Sequence, residues 1–423
     1  MQKFFIGIAT ALLLTSTAQA ETIVIHAGRL ITDAALPAAG PSTITVIDGK
    51  ISAITSGLTP ASAGVKLIDL STKTVLPGLI DSHVHLSSDP GGDYRNEAVD
   101  PDEWGVVVGA KNARVTALAG FTTVRDLGSA PLVGFVLRDG TAKGLIPGPR
   151  ILSAGTAISI IGGHGDVSGF RPEVNAALDG NNTCTGPAQC AARVREASKR
   201  GADVIKITAT GGVLSQQGRG LGQHFTDEEM SAIVTTAHGL GLKVAAHAHG
   251  ARGIEGAAKA GVDSIEHGTF ADATGLKIMK ANGSYMVPTL MAFTGIRERL
   301  GKNIYTPTVE AKVRETLKSV GLALKAAREQ GVPIAFGTDS GVFEHGRNAQ
   351  EFAQMVEFGG LTPAQAIATA TTSAAKLLGL ENEVGRIAIG YSADMIGVTG
   401  DPVANVRILE KVGFVMVRGR VIE

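Results

Sequence analysis

Leu79-Ile80-Asp81-Ser82-His83-Val84-His85 is the stretch that decides the fold, because an apolar, strand-like run ends there in two histidines. Side chains at positions i and i+2 of a strand point to the same face, so both imidazoles are predicted to project together. Other residues of metal-ligand type also close strand-like runs, namely Lys206, His247, His267 and Asp339. In a (β/α)8 barrel the functional groups come from the carboxyl ends of different strands, so this distribution predicts such a TIM barrel.

Strand-like and helix-like segments alternate through the middle of the chain. The eight predicted strands are residues 79–85, 122–126, 151–154, 204–208, 244–248, 264–267, 286–290 and 334–338. Predicted helices include residues 102–119, 188–200, 227–240, 254–260, 273–281, 308–330 and 348–358, and Thr226 with Glu229 predicts a capping box before the third of these. Alternation favours parallel pairing, and eight repeats favour a closed α/β barrel. A doubly wound open sheet is the alternative, but it would separate the first and eighth strands, whose ligands must meet.

The two ends of the chain read as short strands with turns. Residues 21–76 and 381–423 are each too small for a core of their own, so we expect them to form one small β-sandwich beside a barrel of residues 77–380. Residues 1–20 predict a signal peptide: Lys3 precedes an apolar run, and Ala18-Gln19-Ala20 is a small-residue cleavage pattern. We therefore expect a periplasmic or secreted protein that starts near Glu21; a buried N-terminal strand or a lipid anchor is the alternative.

The composition indicates a chain that can bury a large core and gives no charge argument for a macromolecular partner. Of 423 residues 44% are hydrophobic, and 39 basic residues balance 39 acidic ones, so we expect no nucleic-acid partner and no membrane association of the mature form. Cys184 and Cys190 flank a short polar segment, and in an oxidising compartment two such thiols usually pair. Two unpaired loop thiols are the alternative.

Lys206 lies in the apolar run Val204-Ile205-Lys206-Ile207, on the face opposite to the isoleucines. A buried ammonium is costly and loses its proton readily. The neutral amine can combine with carbon dioxide to give a carbamate, a carboxylate-like group that can bridge two cations. A lysine in an internal salt bridge, or one that reaches the rim, is the alternative.

The remaining candidates for metal binding are histidines and one aspartate. His247 and His249 share a face, and His267 and Asp339 each end an apolar run. Any one of them would more often be a hydrogen-bonded structural residue than a ligand. Together with His83, His85 and Lys206 they predict a two-metal site with room for water.

Several of these motifs resemble the amidohydrolase superfamily, in the branch where a carboxylated lysine bridges two zinc ions. The motifs are residues 81–85, Lys206, His247, residues 265–268 and residues 337–340, and the resemblance covers nearly the whole mature chain. Residues 207–213, 162–166 and 247–250 resemble the Xaa-Pro dipeptidase-like group. That group includes carboxypeptidases for dipeptides and N-acyl amino acids, and ochratoxin-hydrolysing amidases.

The resemblance implies a role for each candidate. His83, His85 and Asp339 would hold the more buried metal, His247 and His267 the more exposed one, and N6-carboxylated Lys206 both, with two divalent ions, expected to be Zn2+, as cofactors. His247 is preferred to His249 because the family places its ligand first in this pair. The alternation of side chains along the strand does not distinguish the two, since both point to the same face. His249, His164 and Arg219 are then candidates for substrate contact, and simple solvation is the alternative for His164 and Arg219.

The predicted activity is hydrolysis of the amide bond of a dipeptide or an N-acyl amino acid with a free carboxylate, including amides of the ochratoxin type. Hydroxide held between two cations would attack the carbonyl, and Asp339 would accept its proton and pass it to the leaving amine. No Gly-x-Ser-x-Gly motif supports a serine nucleophile. A cyclic-amide, lactone or phosphotriester hydrolase is one alternative, and a barrel that only binds a ligand is the other. The oligomeric state stays open, a homo-oligomer included.

Overall fold

The computed structural model describes residues 21–91, 95, 98–215 and 220–423. The predicted signal peptide and Arg219 lie outside these residues, so the structure does not test either prediction. Within them, no helix combines the length and the apolar character that crossing a membrane requires.

Fourteen strands and thirteen α-helices make up the described chain. The strands are β1 (Thr22–Leu30), β2 (Ser42–Ile47), β3 (Lys50–Ser56), β4 (Lys66–Pro77), β5 (Leu79–Val84), β6 (Phe121–Asp126), β7 (Arg150–Ser153), β8 (Val204–Thr208), β9 (Lys243–Ala248), β10 (Ser264–His267), β11 (Tyr285–Val287), β12 (Met395–Val398), β13 (Val412–Val417) and β14 (Arg420–Val421). The helices are α1 (Trp104–Leu118), α2 (Val133–Ala142), α3 (Pro172–Ala177), α4 (Pro187–Arg200), α5 (Asp227–Gly239), α6 (Ala251–Ala260), α7 (Ala273–Asn282), α8 (Leu290–Arg299), α9 (Pro307–Thr316), α10 (Leu322–Gln330), α11 (Gln350–Glu357), α12 (Pro363–Ala368) and α13 (Ala374–Leu378).

The middle of the chain forms two parallel sheets, as the alternation of strands and helices predicts. One has the order β5-β6-β7 and the other β11-β10-β9-β8. After β7, the backbone of Ile158 donates to Lys206 O at 2.8 Å and accepts from Thr208 N at 3.0 Å, which links the first sheet to β8. The strands of the second sheet are buried at almost every position, which is typical of strands covered on both faces.

The eighth predicted strand, residues 334–338, is not a regular strand in the structure. The segment instead makes isolated parallel bridges, from Ile334 to Met286 of β11 and from Ser340 to Val84 of β5. Phe336 O accepts from Ser82 N at 2.9 Å, so the segment lies between β11 and β5. The first and eighth units are therefore neighbours, as their shared ligands require, but a closed barrel of eight regular strands stays a prediction.

Two sequence predictions extended too far. The predicted strand 286–290 stops at Val287, and Leu290 already begins α8, because Pro288 and the left-handed backbone of Thr289 (φ 50°) turn the chain. The predicted helix 308–330 is divided into α9 and α10 by Gly321, whose φ of 77° a helix cannot contain. Helices α2, α3 and α8 were not predicted.

The two ends of the chain share one seven-stranded sheet of order β14-β13-β12-β4-β1-β2-β3. Its apolar residues form a cluster of their own that includes Ile25, Ile44, Val75, Met395 and Met416. A bridge between Lys50 and Ser392 brings the β3 edge of the sheet back to the residues before β12. The exact boundaries predicted for the domains stay predictions.

Two local predictions are confirmed. Thr226 and Glu229 form the capping box at the start of α5, with Glu229 N donating to Thr226 Oγ1 and Thr226 N to the Glu229 carboxylate. Cys184 and Cys190 are joined in a disulfide, with their Cα atoms 5.0 Å apart. The bond fixes the entry to α4, whose Cys190 is fully buried.

Candidate metal centre

The first group of predicted ligands meets at the end of β5. His83 Nε2 lies 3.3 Å from His85 Nε2, and Asp339 Oδ1 lies 3.4 Å from the first and 3.2 Å from the second of these atoms. Lys206 Nζ lies 3.3 Å from His83 Nε2. Four groups from three parts of the chain therefore converge on one point, as the sequence predicts.

In each of these two histidines, the hydrogen bond made by Nδ1, on the side away from the shared point, determines whether Nε2 carries a proton. His83 Nδ1 is 3.0 Å from the Glu266 carboxylate, and His85 Nδ1 is 3.0 Å from the carbonyl oxygen of Gly128. Both partners only accept, so each neutral ring carries its proton on Nδ1 and presents a lone pair at Nε2. Two facing lone pairs and a carboxylate oxygen fit a cation at this point.

The second group of ligands meets at the ends of β9 and β10. His267 Nε2 lies 2.9 Å from His247 Nδ1. The outer nitrogens are again engaged, His247 Nε2 with Gly211 O at 3.3 Å and His267 Nδ1 with Thr289 Oγ1 at 2.7 Å. The ligand atoms of His247, His249 and His267 all lie within 4.8 Å of one another. These residues can therefore hold a second cation.

Lys206 contacts the first group, lines the same cavity as the second and is only 4% exposed. Burial lowers the pKa of its ammonium to about 8, although nearby carboxylates oppose this. Roughly a tenth of the amine is therefore neutral at pH 7. The neutral amine is the form that reacts with carbon dioxide. Burial would raise the pKa of Asp339, but the surrounding histidines hold it well below its usual range.

Left-handed backbone occurs at the ligand positions themselves. His267 has φ 69° and Asp339 has φ 61°, and Thr289, the partner of His267, has φ 50°. Such a conformation is strained for residues with a side chain and persists where the surroundings enforce it. At His267 it interrupts the alternation of β10, so that Glu266 and His267 both contact His83 although they are adjacent in sequence.

Buried charges behind the ligands were not predicted from the sequence. Glu266 pairs with Arg125 at 2.9 Å, and both side chains are at most 1% exposed. Asp81 accepts hydrogen bonds from Thr338 Oγ1 at 2.6 Å and from Asn348 Nδ2 at 2.8 Å, and burial raises its pKa to about 6. The available signal was a charged residue inside a predicted strand, and both Arg125 and Glu266 lie in such strands.

A cavity of about 290 Å³ opens over both groups of ligands. Apart from the ligands, its wall is mainly apolar and includes Leu127, Ala157, Val213, Leu214, Ala292, Phe293, Ile296 and Val342. Three of these residues belong to α8, so the helix that the sequence did not predict forms one side of the cavity. Lys312 of α9 donates to Gly212 O at 2.9 Å and thereby holds the loop after β8 against this wall.

The predicted substrate contacts have different outcomes. His164 and His249 both line the cavity, where His164 Nδ1 contacts Ser215 Oγ at 2.6 Å and His249 Nδ1 contacts Thr269 Oγ1 at 2.7 Å. Burial lowers the pKa of His164 to about 3 and that of His249 to about 4, so both rings are neutral hydrogen-bonding groups at pH 7. Their contact with a substrate stays a prediction.

The chain is similar to known proteins in both sequence and structure. The amidohydrolase family model matches residues 74–422. The ochratoxinase of Aspergillus niger is 31% identical over 95% of this chain and 86% of its own length. A crystal structure of a Xaa-Pro dipeptidase with methionine bound in the active site superposes with a TM-score of 0.87 at 39% identity, over 95% of this chain and 99% of the other. The crystal structure of A. niger ochratoxinase gives a TM-score of 0.82 at 27% identity, over 95% and 96%.

A buried carboxyl group that holds the start of α8 leads to a prediction about how stability depends on pH. The buried Glu351 carboxyl accepts from Leu290 N at 2.8 Å and from Met291 N at 2.6 Å, the first two N–H groups of α8. Burial raises the pKa of Glu351 to about 8, against the effect of these donors. The folded pKa lies above the unfolded value of 4.5, so its contribution to stability is complete below that value and is lost as the pH rises through 8.

Glu351→Gln keeps an accepting oxygen and cannot titrate. We expect the free energy of unfolding of this variant, relative to wild type, to increase between roughly pH 5 and 8 by up to about 1.4 kcal/mol per pH unit. Urea unfolding at each pH measures the difference, and Glu357→Gln, an exposed position of the same helix, is the matched control. A difference that stays constant with pH would contradict the raised pKa.

Proposed function

The chain belongs to the amidohydrolase family and is a hydrolase that acts on amide bonds, and from this premise we propose that it is an exported two-metal enzyme for dipeptides or N-acyl amino acids. The observation that carries the proposal is the convergence of two groups of ligand atoms and one buried lysine on a single cavity, with the lysine amine in contact with the first group. Both groups face a single apolar cavity.

The ligand assignment rests on the orientation of lone pairs. His83, His85 and Asp339 would hold one divalent ion, expected to be Zn2+, and His247 and His267 the other. Lys206 would bind both through an N6-carboxylate. Nitrogen and oxygen donors of this kind are typical of catalytic zinc, whose site keeps a position open for water or substrate.

Such ions would supply a water of lowered pKa as nucleophile and would polarise the scissile carbonyl. Asp339 is ionised at neutral pH, because neighbouring histidines hold its pKa well below the usual value. A proton that it accepts is therefore weakly held and readily passed to a departing amine. His164 and His249 are neutral and can donate to a substrate oxygen or accept from an amide N–H.

The substrate assignment combines the cavity with the relatives. Phe293, Ile296 and Val213 give the cavity an apolar side that suits an apolar acyl group or side chain. The relatives include a Xaa-Pro dipeptidase and an ochratoxinase, so amides of amino acids are the substrate class that we propose. Arg219, His164 and His249 are the candidates to meet the free carboxylate.

Further features belong to the same proposal. We propose that the two parallel sheets and residues 334–340 are the wall of a (β/α)8 barrel, with the seven-stranded sheet beside it. Residues 1–20 would direct export to the periplasm or the medium, and the disulfide between Cys184 and Cys190 suits an oxidising compartment.

The first prediction concerns the substrate. Dipeptides and N-acyl amino acids with apolar groups should be hydrolysed, and amidation of their carboxylate should lower kcat/KM by about tenfold or more, as expected for loss of a charge-assisted contact. Steady-state kinetics on matched pairs of free acid and amide measures this. Preferential turnover of lactones, cyclic amides or phosphotriesters would contradict it, and a protein that binds no metal and hydrolyses nothing would be a ligand-binding barrel instead.

The second prediction concerns Lys206. Lys206→Ala should lose metal and most activity, because the bridging group is gone, and a short carboxylic acid with added zinc should restore part of both. Metal analysis and kinetics on the purified variant measure this. Lys243→Ala, on β9 and partly exposed, is the control that should behave as wild type. Unchanged metal content in Lys206→Ala would remove this residue from the site.

The third prediction concerns Asp339. Asp339→Asn keeps an oxygen donor and a residue type that tolerates left-handed backbone, but it removes the proton acceptor. Metal content should stay near that of wild type while kcat falls by about 100-fold or more. If kcat and its pH profile are unchanged, another group accepts the proton, and variants of His164 and His249 should then be tested.

A further inference from the structure

A buried ion pair lies directly behind one of the proposed ligands. Glu266 Oε2 is 3.0 Å from His83 Nδ1, and Glu266 Oε1 is 2.9 Å from Arg125 Nη2. Ser264 Oγ also donates to Glu266 Oε1. Both carboxylate oxygens are therefore committed, and neither faces the cavity.

Arg125 connects the same carboxylate to the strand that carries the ligand. Its Nε donates to Ser82 O at 2.6 Å, next to His83, and its Nη1 donates to Ser264 Oγ at 3.2 Å. The guanidinium thus holds β5, β6 and β10 in a fixed relation. It also places a positive charge 2.9 Å from the Glu266 carboxylate, which balances the negative charge of this fully buried group.

The four proposed histidine ligands differ in the group that binds the ring nitrogen facing away from the metal. A full negative charge stands behind His83, whereas neutral oxygen atoms stand behind the other three: Gly128 O for His85, Gly211 O for His247 and Thr289 Oγ1 for His267. An imidazole that donates to a carboxylate is a stronger electron donor, and its ring is held in one tautomer and orientation. The two groups of ligands should therefore differ in affinity.

We propose that Glu266, held by Arg125, is a positioning residue that makes the site of His83, His85 and Asp339 the tighter of the two metal sites. This inference rests on the proposed two-metal centre. It predicts that the ions leave in a fixed order, with the ion of His247 and His267 lost first. It also predicts that the order depends on a residue that touches neither ion.

The test is a zinc titration of the metal-free protein against a chelating indicator, which measures affinity independently of activity. Wild type should show two separate dissociation constants. Glu266→Gln, which keeps the shape and loses the charge, should weaken the tighter site by about 10- to 100-fold and leave the weaker one within about threefold, in line with the effect of such partners in other metal sites.

Controls separate positioning from stability. Glu351→Gln makes the same change at another fully buried carboxyl that touches no ligand, so its two dissociation constants should equal those of wild type. Arg125→Met leaves an unpaired buried charge and should unfold more easily, whereas Arg125→Met with Glu266→Gln should recover stability but not the tight site. Urea unfolding of each variant measures stability.

The outcomes are distinguishable. Two equal dissociation constants in wild type, or an unchanged tight site in Glu266→Gln, would overturn the inference while the two-metal proposal stands. A wild type that binds no zinc would instead overturn the proposed function. Recovery of the tight site in the double variant would assign Glu266 a purely structural role.

Discussion

Histidine nitrogens that face one another inside a buried cavity are the constraint on which the rest of the structure depends. His83 Nε2 and His85 Nε2 lie 3.3 Å apart, and because the partner behind each ring only accepts, each ring in its neutral form turns a lone pair to this point. Positive charge at its centre stabilises such an arrangement. The carboxylate of Asp339 and the amine of Lys206 border the same point, so these residues can hold a cation.

Much of the surrounding structure holds these atoms in place. Asp81 accepts from the backbone of both His83 and Thr338, and so binds β5 to the segment that carries Asp339. Left-handed backbone at His267 and Asp339 adds strain that the buried hydrogen bonds must offset. The cost in stability of this strain is local, because the apolar core of the two parallel sheets lies outside the hydrogen-bond network of the site. We infer that stability and function are divided between the helix-facing and cavity-facing sides of the strands.

The alternation of side chains along a strand predicted which residues face the cavity where the strands are regular, and it failed where they are not. It placed His83 with His85 correctly, and it turned Lys206 and His247 toward the same cavity. It could not assign Glu266, because the turn at His267 lets two adjacent residues reach the interior. Helix α8 was missed for a similar reason, since nothing before Leu290 except Pro288 indicates that the chain turns there. Buried charge partners such as Arg125 depend on contacts between distant strands, which no single segment encodes.

The most direct test of the central claim is anomalous diffraction from crystals of the zinc-loaded protein, recorded on both sides of the zinc absorption edge. Two anomalous peaks are expected, one bounded by His83, His85 and Asp339 and the other by His247 and His267. Electron density should extend beyond Lys206 Nζ as a carboxylate that touches both. A single peak, or an unmodified Lys206 amine beside two occupied positions, would contradict the claim that a carboxylated lysine joins two metal ions in this cavity.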